Sequence, residues 1–243
     1  MSSRIILVTG ANGGLGQAIA KAFLHEAGSN FVCLGVHQRQ ERAGALAAEF
    51  PDRCQTVLLD VTARDSWNTA IEKILSVHKR IDVLVNNAGR HDDGLLANLS
   101  FTAWQSVLQT NLDAVFHGCQ TVLPAMIGQR HGRIVNVASL SALLAPAGQT
   151  NYAAAKAGVL ALTQSLAKEV ARIGITVNAV CPGYIDTEAL ANLSDQERQA
   201  SIAKIPMRRF GRPDEAAAAV RFLACSEASY ITGSMLKVDG GIF

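Results

Sequence analysis

Ile5-Ile6-Leu7-Val8-Thr9-Gly10-Ala11-Asn12-Gly13-Gly14-Leu15-Gly16 is the stretch on which the fold of this chain turns. Ile5–Val8 is an apolar run without polar alternation, the mark of a strand covered on both faces. Glycines at 10, 14 and 16 let the backbone turn tightly and approach a ligand closely. The helical segment expected next, Gln17–Ala27, offers free N–H groups and a positive dipole end to a pyrophosphate. Strand, glycine turn and helix together favour nucleotide binding over a bare tight turn, although the G-x-x-x-G-x-G spacing is not that of the G-x-G-x-x-G fingerprint.

The same pattern recurs outward from this stretch. Apolar, β-rich runs at Ile5–Val8, Phe31–Val36, Thr56–Val61, Val83–Val85, Ile134–Val137, Thr176–Val180 and Met235–Val238 are each followed by an amphipathic or Ala-rich segment. Seven strands alternating with about six helices predict an α/β fold: a doubly wound, seven-stranded parallel sheet flanked by helices. Right-handed crossovers put all strand C-termini along one edge, where ligands bind. At 243 residues, 1–243 reads as a single domain.

The net charge of +2, with Lys and Arg dispersed, gives no field for nucleic acid. The apolar run at the N-terminus is too short for a signal sequence, and no stretch approaches the roughly 18 apolar residues of a membrane helix, so neither secretion nor a membrane is expected. Cysteines 33, 54, 119, 181 and 225 have no C-x-x-C spacing and read as reduced core residues of a cytoplasmic protein, and no metal site is expected.

The strand ends carry the candidate site residues. After the second strand comes His37-Gln38-Arg39-Gln40, with the first acid at Glu41. An NAD site favours an acid there and an NADP site a cation, so NADP is favoured, NAD stays the alternative, and Arg39 is the phosphate partner unless it merely opens the next helix in solvent. Asp60, beside Val61, either accepts from an adenine amino group or caps a helix beginning near Ala63. Asn87, Ala88 and Gly89 suit close packing against a ribose or neighbouring loops. Asn111 is either a satisfied core amide or part of a site.

Ser139 follows the apolar run Gly132–Ala138. Tyr152 and Lys156 are four residues apart in an Ala-rich helix, so both leave one face. An ammonium beside a phenol favours the phenolate, which makes the pair acid–base equipment. A lone Tyr-x-x-x-Lys is more often a surface pair, so the remaining motifs must carry the case.

In order and spacing, Thr9–Gly16, Asn86–Gly89, Asn111, Ser139, Tyr152-x-x-x-Lys156 and Pro182-Gly183 resemble the short-chain dehydrogenase/reductases over nearly the whole chain. The resemblance implies a Rossmann sheet and hydride transfer between NAD(P)H and a carbonyl carbon. Tyr152 would donate the proton, Lys156 would lower its pKa and hold the nicotinamide ribose, Ser139 would bond the carbonyl oxygen, and Asn111 would position a water. Gly10, Asn12, Gly13, Gly14, Leu15, Gly16, Arg39, Asp60, Val61, Asn87, Ala88 and Gly89 would join Tyr152 and Lys156 in lining the cofactor. Pro182, Gly183, Ile185 and Thr187 would hold its carboxamide.

Within the family, Gly148–Gly158, Gly174–Asn178, Pro206–Pro213, Tyr230–Gly233 and Val238–Gly241 look most like reductases of 3-oxoacyl thioesters carried on acyl carrier protein. That implies NADPH-dependent reduction in fatty-acid or related acyl-chain synthesis. CoA thioesters, polyketides, sugars or secondary alcohols are the alternatives, and a non-catalytic dinucleotide-binding regulator is remote. An enoyl reductase is disfavoured, because that branch spaces its Tyr and Lys more widely. Gly13 stands where many NADP-dependent members carry a basic residue. Arg130 matches an arginine expected near the cleft for docking an acidic carrier, a second such arginine is shifted to Arg172, and Lys204, Arg208, Arg209 and Arg212 form a basic run beside an expected lid, 184–205. Ala154, Gly158, Ala161 and Ser165 form a small-residue stripe, which with the C-terminal Gly241–Phe243 resembles the family's homotetramer surfaces.

Overall fold

In the computed structural model, which describes residues 3–26, 30–191 and 193–243, the apolar runs form strands β1 Ile5–Thr9, β2 Phe31–Val36, β3 Cys54–Leu58, β4 Val83–Asn86, β5 Gly132–Val137, β6 Ile175–Pro182 and β7 Met235–Val238. They pair in the order β3-β2-β1-β4-β5-β6-β7, every neighbour parallel. The connecting helices are α1 Gly14–Leu24, α2 Glu41–Glu49, α3 Arg64–His78, α4 Phe101–Leu108, α5 Ala114–Gln129, α6 Ser141–Leu144, α7 Thr150–Val170, α8 Asp195–Ala203 and α9 Pro213–Leu223.

The two-residue period of a strand divides the core. Ile5 and Leu7 pack with Trp67 of α3, Val122 of α5 and Val159 of α7, while Ile6 and Val8 pack with Phe23 of α1, Leu46 of α2 and Val220 of α9. Both faces are therefore covered, which is why these strands read as continuous apolar runs. Strand order reverses between β1 and β4, and that divergence opens a crevice above their C-terminal ends.

Five expectations are corrected. β3 starts two residues earlier than Thr56 and stops at Leu58 rather than Val61. Asp60 breaks the ladder: its Oδ1 accepts from the Thr62 N–H at 2.9 Å and the Thr62 hydroxyl at 2.7 Å, making a turn. The following helix has Ala63 at its N-cap with no side-chain bond, so Asp60 is not a helix cap. The first helix begins at Gly14 and ends at Leu24, and Ala27 lies outside the described residues. The long segment Phe101–Gly128 is α4 and α5 joined by a π turn, Gln109–Asp113, and α6 and α8 are short additions to the six helices expected.

Candidate active site

The glycine loop is braced from the neighbouring strand. Gly10 sits at φ 64°, a left-handed conformation that glycine adopts without strain. Asn87 Nδ2 donates to the Thr9 carbonyl at 2.9 Å, and Thr9 Oγ1 accepts from the N–H groups of Asn87 and Ala88, both at 2.9 Å. A Cβ on Gly16 would collide with the Gly10 carbonyl oxygen and lie 2.9 Å from Ala11 Cα. The first turn of α1 has no side-chain cap and no acid, so its N–H groups stay open to an anion. One anion already reaches it: the Glu188 carboxylate accepts from the Gly14 N–H at 3.2 Å and also pairs with Arg42. A loop of this shape, with an anion on the helix end, fits the pyrophosphate of a dinucleotide. Asn12 has a different task, since its Oδ1 accepts from the N–H groups of Arg42 at 3.0 Å and Ala43 at 3.1 Å and so holds the start of α2.

The expected catalytic residues converge above β4 and β5. Asn111 lies in the π turn, a feature that recurs at functional sites. Its Nδ2 donates to the carbonyls of Arg90 at 2.6 Å and Val107 at 2.8 Å, while its buried Oδ1 has no partner among the described residues. A buried acceptor left open is a place for a water or a ligand hydroxyl. A Cβ on Gly89 would stand 2.8 Å from that Oδ1 and 3.6 Å from Lys156 Nζ, so glycine keeps this space clear. Ser139, two residues beyond β5, lies beside the Tyr152 phenol and favours its charged form.

Tyr152 and Lys156 share one face of α7, but the charge relation differs from the expected one. Lys156 is buried and donates to the Val137 carbonyl at 2.8 Å, with Nζ 5.7 Å from the centre of the Tyr152 ring. Burial pushes the Tyr152 phenol above its ordinary value; Ser139 opposes this and the Asp93 charge adds to it. The ammonium thus donates to a main-chain carbonyl while standing over the ring, and the phenol keeps its proton at neutral pH. Burial also lowers Lys156 from 10.5 to about 8.

That depression predicts a pH signature. Below about 8 the folded protein holds a buried ammonium at its full cost, on the order of 3 kcal/mol. Between about 8 and 10.5 the unfolded chain binds more protons than the folded one, so stability rises with pH. Lys156→Met removes this slope and leaves the Val137 carbonyl unpaired, at about 1–3 kcal/mol. The variant should melt close to the parent at pH 7 and fall behind it steadily toward pH 10 in thermal melts; a constant difference would show that the ammonium is not buried at this cost.

The other cofactor candidates distribute around the crevice. Asp60 stays near the end of β2, with Oδ2 3.8 Å from His37 Nε2, and the Val61 carbonyl accepts from Trp67 Nε1 at 2.9 Å. Arg39 is exposed, and its side chain has no hydrogen bond or ion pair among the described residues. Arg42 was missed in the sequence, where it reads as a charge on a helix face; only the return of the chain through Glu188 sets it across the crevice. Pro182 ends β6, Gly183 N–H donates to the Val238 carbonyl at 3.0 Å, Ile185 is buried and bridges to Gly211, and Thr187 stands beside Gly14.

The basic groups expected to dock a carrier are not gathered at the cleft of their own chain. Arg130 caps the end of α5 and Arg172 lies just before β6, so both sit at the N-terminal edge of the sheet. The eight residues of β6, roughly 25 Å of strand, separate them from the catalytic edge of their own chain. Arg209 and Arg212 are paired with Asp214 and Glu215 of α9, so two of the four cations of the run beside the lid are neutralised. Sequence reading also missed Asn136, which accepts from Asn86 Nδ2 and donates to Thr163 Oγ1, both at 2.9 Å, a buried polar chain tying β4 and β5 to α7.

Comparison with known proteins agrees with this geometry. Residues 10–242 match the family model described as Enoyl-(Acyl carrier protein) reductase. The chain is 40% identical over 243 residues to a 3-oxoacyl-[acyl-carrier-protein] reductase of Thermotoga maritima, covering 100% of this chain and 98% of the relative. It is 41% identical over 240 residues to the protein of that name from Escherichia coli K12, covering 99% and 97%. Nodulation protein G of Rhizobium sp. N33 is 41% identical over 243 residues, covering 100% and 98%. With full-length relatives, the matched model and the Asn111, Ser139, Tyr152 and Lys156 constellation in agreement, the chain belongs to the short-chain dehydrogenase/reductase family.

Proposed function

We propose that this site reduces the keto carbon of a 3-oxoacyl thioester on acyl carrier protein to the 3-hydroxy form, with NADPH, in fatty-acid or related acyl-chain synthesis. The observation that carries the reading is the buried, unpartnered Asn111 Oδ1 gathered with Lys156 and the Tyr152 ring at the sheet edge that also carries an anion-ready α1 terminus. Relatives named as 3-oxoacyl-[acyl-carrier-protein] reductases support the substrate class.

A bound nicotinamide cofactor supplies the hydride. Ser139 donates to the carbonyl oxygen, and Tyr152, held as the neutral phenol, gives its proton as the alkoxide develops. Both donors meet charge that exists only in the transition state, where stabilisation raises kcat. Lys156 and the open Asn111 Oδ1 flank the phenol on the inner side and provide the route by which its proton is replaced. Gly10, Gly13, Gly14, Leu15 and Gly16 hold the pyrophosphate, Asn87, Ala88 and Gly89 shape the inner wall, and Pro182, Gly183, Ile185 and Thr187 meet the carboxamide.

The decisive experiment follows NADPH oxidation with acetoacetyl-carrier protein and acetoacetyl-CoA side by side, repeated with NADH. Higher kcat/KM for the carrier substrate with NADPH supports the reading, and preference for CoA, or activity only on a secondary alcohol with NAD, overturns it. The cofactor preference rests on Arg39 and Arg42. Arg42→Ala should weaken NADPH about tenfold and NADH by less than about twofold, as loss of one cation–phosphate contact predicts. Glu188→Gln should tighten both cofactors by up to about fivefold, since an exposed carboxylate leaves the helix end. Fluorescence titration of the nicotinamide measures all four constants.

Segment 184–205 is the proposed lid. Ser194 and Glu197 form a capping box at the start of α8, and Ile205 is buried beneath it; Asn192 lies outside the described residues. Unchanged KM for long and short acyl substrates after Leu190→Ala and Leu193→Ala would remove the lid. A homotetramer belongs to the same reading, with Ala154, Ala161 and Ser165 exposed along α7, whereas Gly158 instead faces Leu112 of its own chain. Sedimentation as a monomer at micromolar concentration would count against it. We place the enzyme in the cytoplasm, where the five free, buried cysteines stay reduced; among the described residues no helix is long and apolar enough to cross a membrane.

A further inference from the structure

The turn after β4 carries Arg90-His91-Asp92-Asp93, four residues that the mechanism above leaves unused. It is stitched to the start of α7. Gly94 N–H donates to the Gly148 carbonyl at 2.8 Å, Asn151 Nδ2 donates to the Asp92 carbonyl at 2.9 Å, and Gln149 Nε2 donates to Asp93 Oδ2 at 2.7 Å. Gln149 passes the contact on: its Oε1 accepts the Ser141 hydroxyl at 2.8 Å, and Ser141 N–H donates to Ser139 Oγ at 3.1 Å. Because Ser139 Oγ accepts that N–H, its one proton is left to donate to the carbonyl site. The other Asp93 oxygen, Oδ1, lies 3.6 Å from His91 Nδ1, and the His91 ring meets Tyr152 edge-on with centroids 6.3 Å apart.

We propose that Asp93 is a positioning residue for the reduction: through Gln149 and Ser141 it aims the Ser139 hydroxyl, and its carboxylate sets the charge beside the Tyr152 phenol. The inference rests on the roles given to Ser139 and Tyr152 above. The groups facing the phenol are Lys156 from α7, Ser139 from the end of β5, and His91 and Asp93 from the turn after β4. Arg90 and Asp92 of that turn pair with each other at 3.6 Å, and Arg90 also donates to Ser106 Oγ at 2.9 Å. A carboxylate near a phenol opposes the phenolate, so Asp93 keeps the proton on its donor, the state that reduction needs. Asp93 thus tunes how far into alkaline pH the phenol remains a donor, and His91 fills the space between that carboxylate and the Tyr152 ring.

Three variants separate aim from charge. Asp93→Asn keeps an acceptor for Gln149 and removes the charge, Gln149→Ala keeps the charge and breaks the route to Ser141, and Asp93→Ala removes both. With 13C-labelled tyrosine, NMR of the substrate-free protein follows the Tyr152 midpoint among only three tyrosines, with Tyr152→Phe as the assignment control. The expected result for Asp93→Asn is a midpoint moved to lower pH, with the alkaline fall of kcat for acetoacetyl thioester reduction moved in the same direction. Gln149→Ala should lower kcat about tenfold with KM within about twofold, the loss of one hydrogen-bonded orientation near the reacting atoms, and leave the midpoint in place. An unmoved midpoint in Asp93→Asn, or parental kcat in Gln149→Ala, overturns the proposal. If Asp93→Ala does not fold, the two conservative variants still decide. The NMR titration needs no substrate, so a protein inactive on thioesters would overturn the proposed function while the charge effect is still read.

Discussion

Tyr152→Phe is expected to lower kcat for thioester reduction by about a thousandfold, within the range for loss of a positioned proton donor, while cofactor Kd changes by less than about twofold. The phenol oxygen is the only atom removed, and the group beside it is Ser139, itself part of the site. The ring stays, so packing against His91 and the approach of Lys156 at 5.7 Å are kept. A family of non-catalytic regulators would bind cofactor equally well in both proteins and turn over neither. Stopped-flow reduction beside fluorescence titration makes the separation: parental turnover in the variant would end the assignment of Tyr152 as donor, and no turnover in the parent would end the enzymatic reading itself.

Gly16→Ala should be the most damaging single change in the cofactor loop. The added methyl meets the Gly10 carbonyl oxygen and Ala11 Cα, the latter at 2.9 Å, and both are backbone atoms that no rotamer change can move aside. Gly10 is itself locked between β1 and the Asn87 amide, whose Nδ2 donates to the Thr9 carbonyl at 2.9 Å. Overpacking of this kind costs about 1–3 kcal/mol, and the roughly 1 kcal/mol that alanine gains over glycine in a helix offsets only part of it. A fall in Tm of several degrees is expected for a chain of this size. Cofactor Kd should rise by more than about tenfold, since a loop displaced by a few tenths of an ångström no longer aims its N–H groups together. Calorimetry with and without NADPH checks both effects, and a variant with parental Tm and Kd would show that the loop has slack.

Much of the fold was legible in particular stretches. Ile5–Val8 and Phe31–Val36 are strands where their continuous apolar character places them, because a strand buried on both faces needs no polar alternation; Met235–Val238 is a strand as expected, but as the edge of the sheet it is only half-buried. β3 was misread at both ends, since Leu59 and Val61 extend the apolar run while Asp60 and Thr62 close a side-chain turn that hydropathy does not register. Tyr152 and Lys156 could be paired from spacing alone, but the direction of the ammonium could not. Helical geometry puts both on one face, whereas the Val137 carbonyl that captures Nζ belongs to a strand 19 residues earlier.

The sequence by itself determined the alternation of strands and helices, the glycine turn before α1 and the residue types at the catalytic sheet edge, because these depend on local sterics and on the periods of 2 and 3.6 residues. Tertiary structure alone decided which polar groups meet. Asn12 was spent on α2, Glu188 on Gly14 across 174 positions, and Gln149 on Asp93 across 56. It also put Arg130 and Arg172 at the sheet edge away from the catalytic one. The physical reason is that hydrogen bonds and charge effects act over a few ångströms, and parallel crossovers bring distant segments to the same strand ends in ways that no local pattern records.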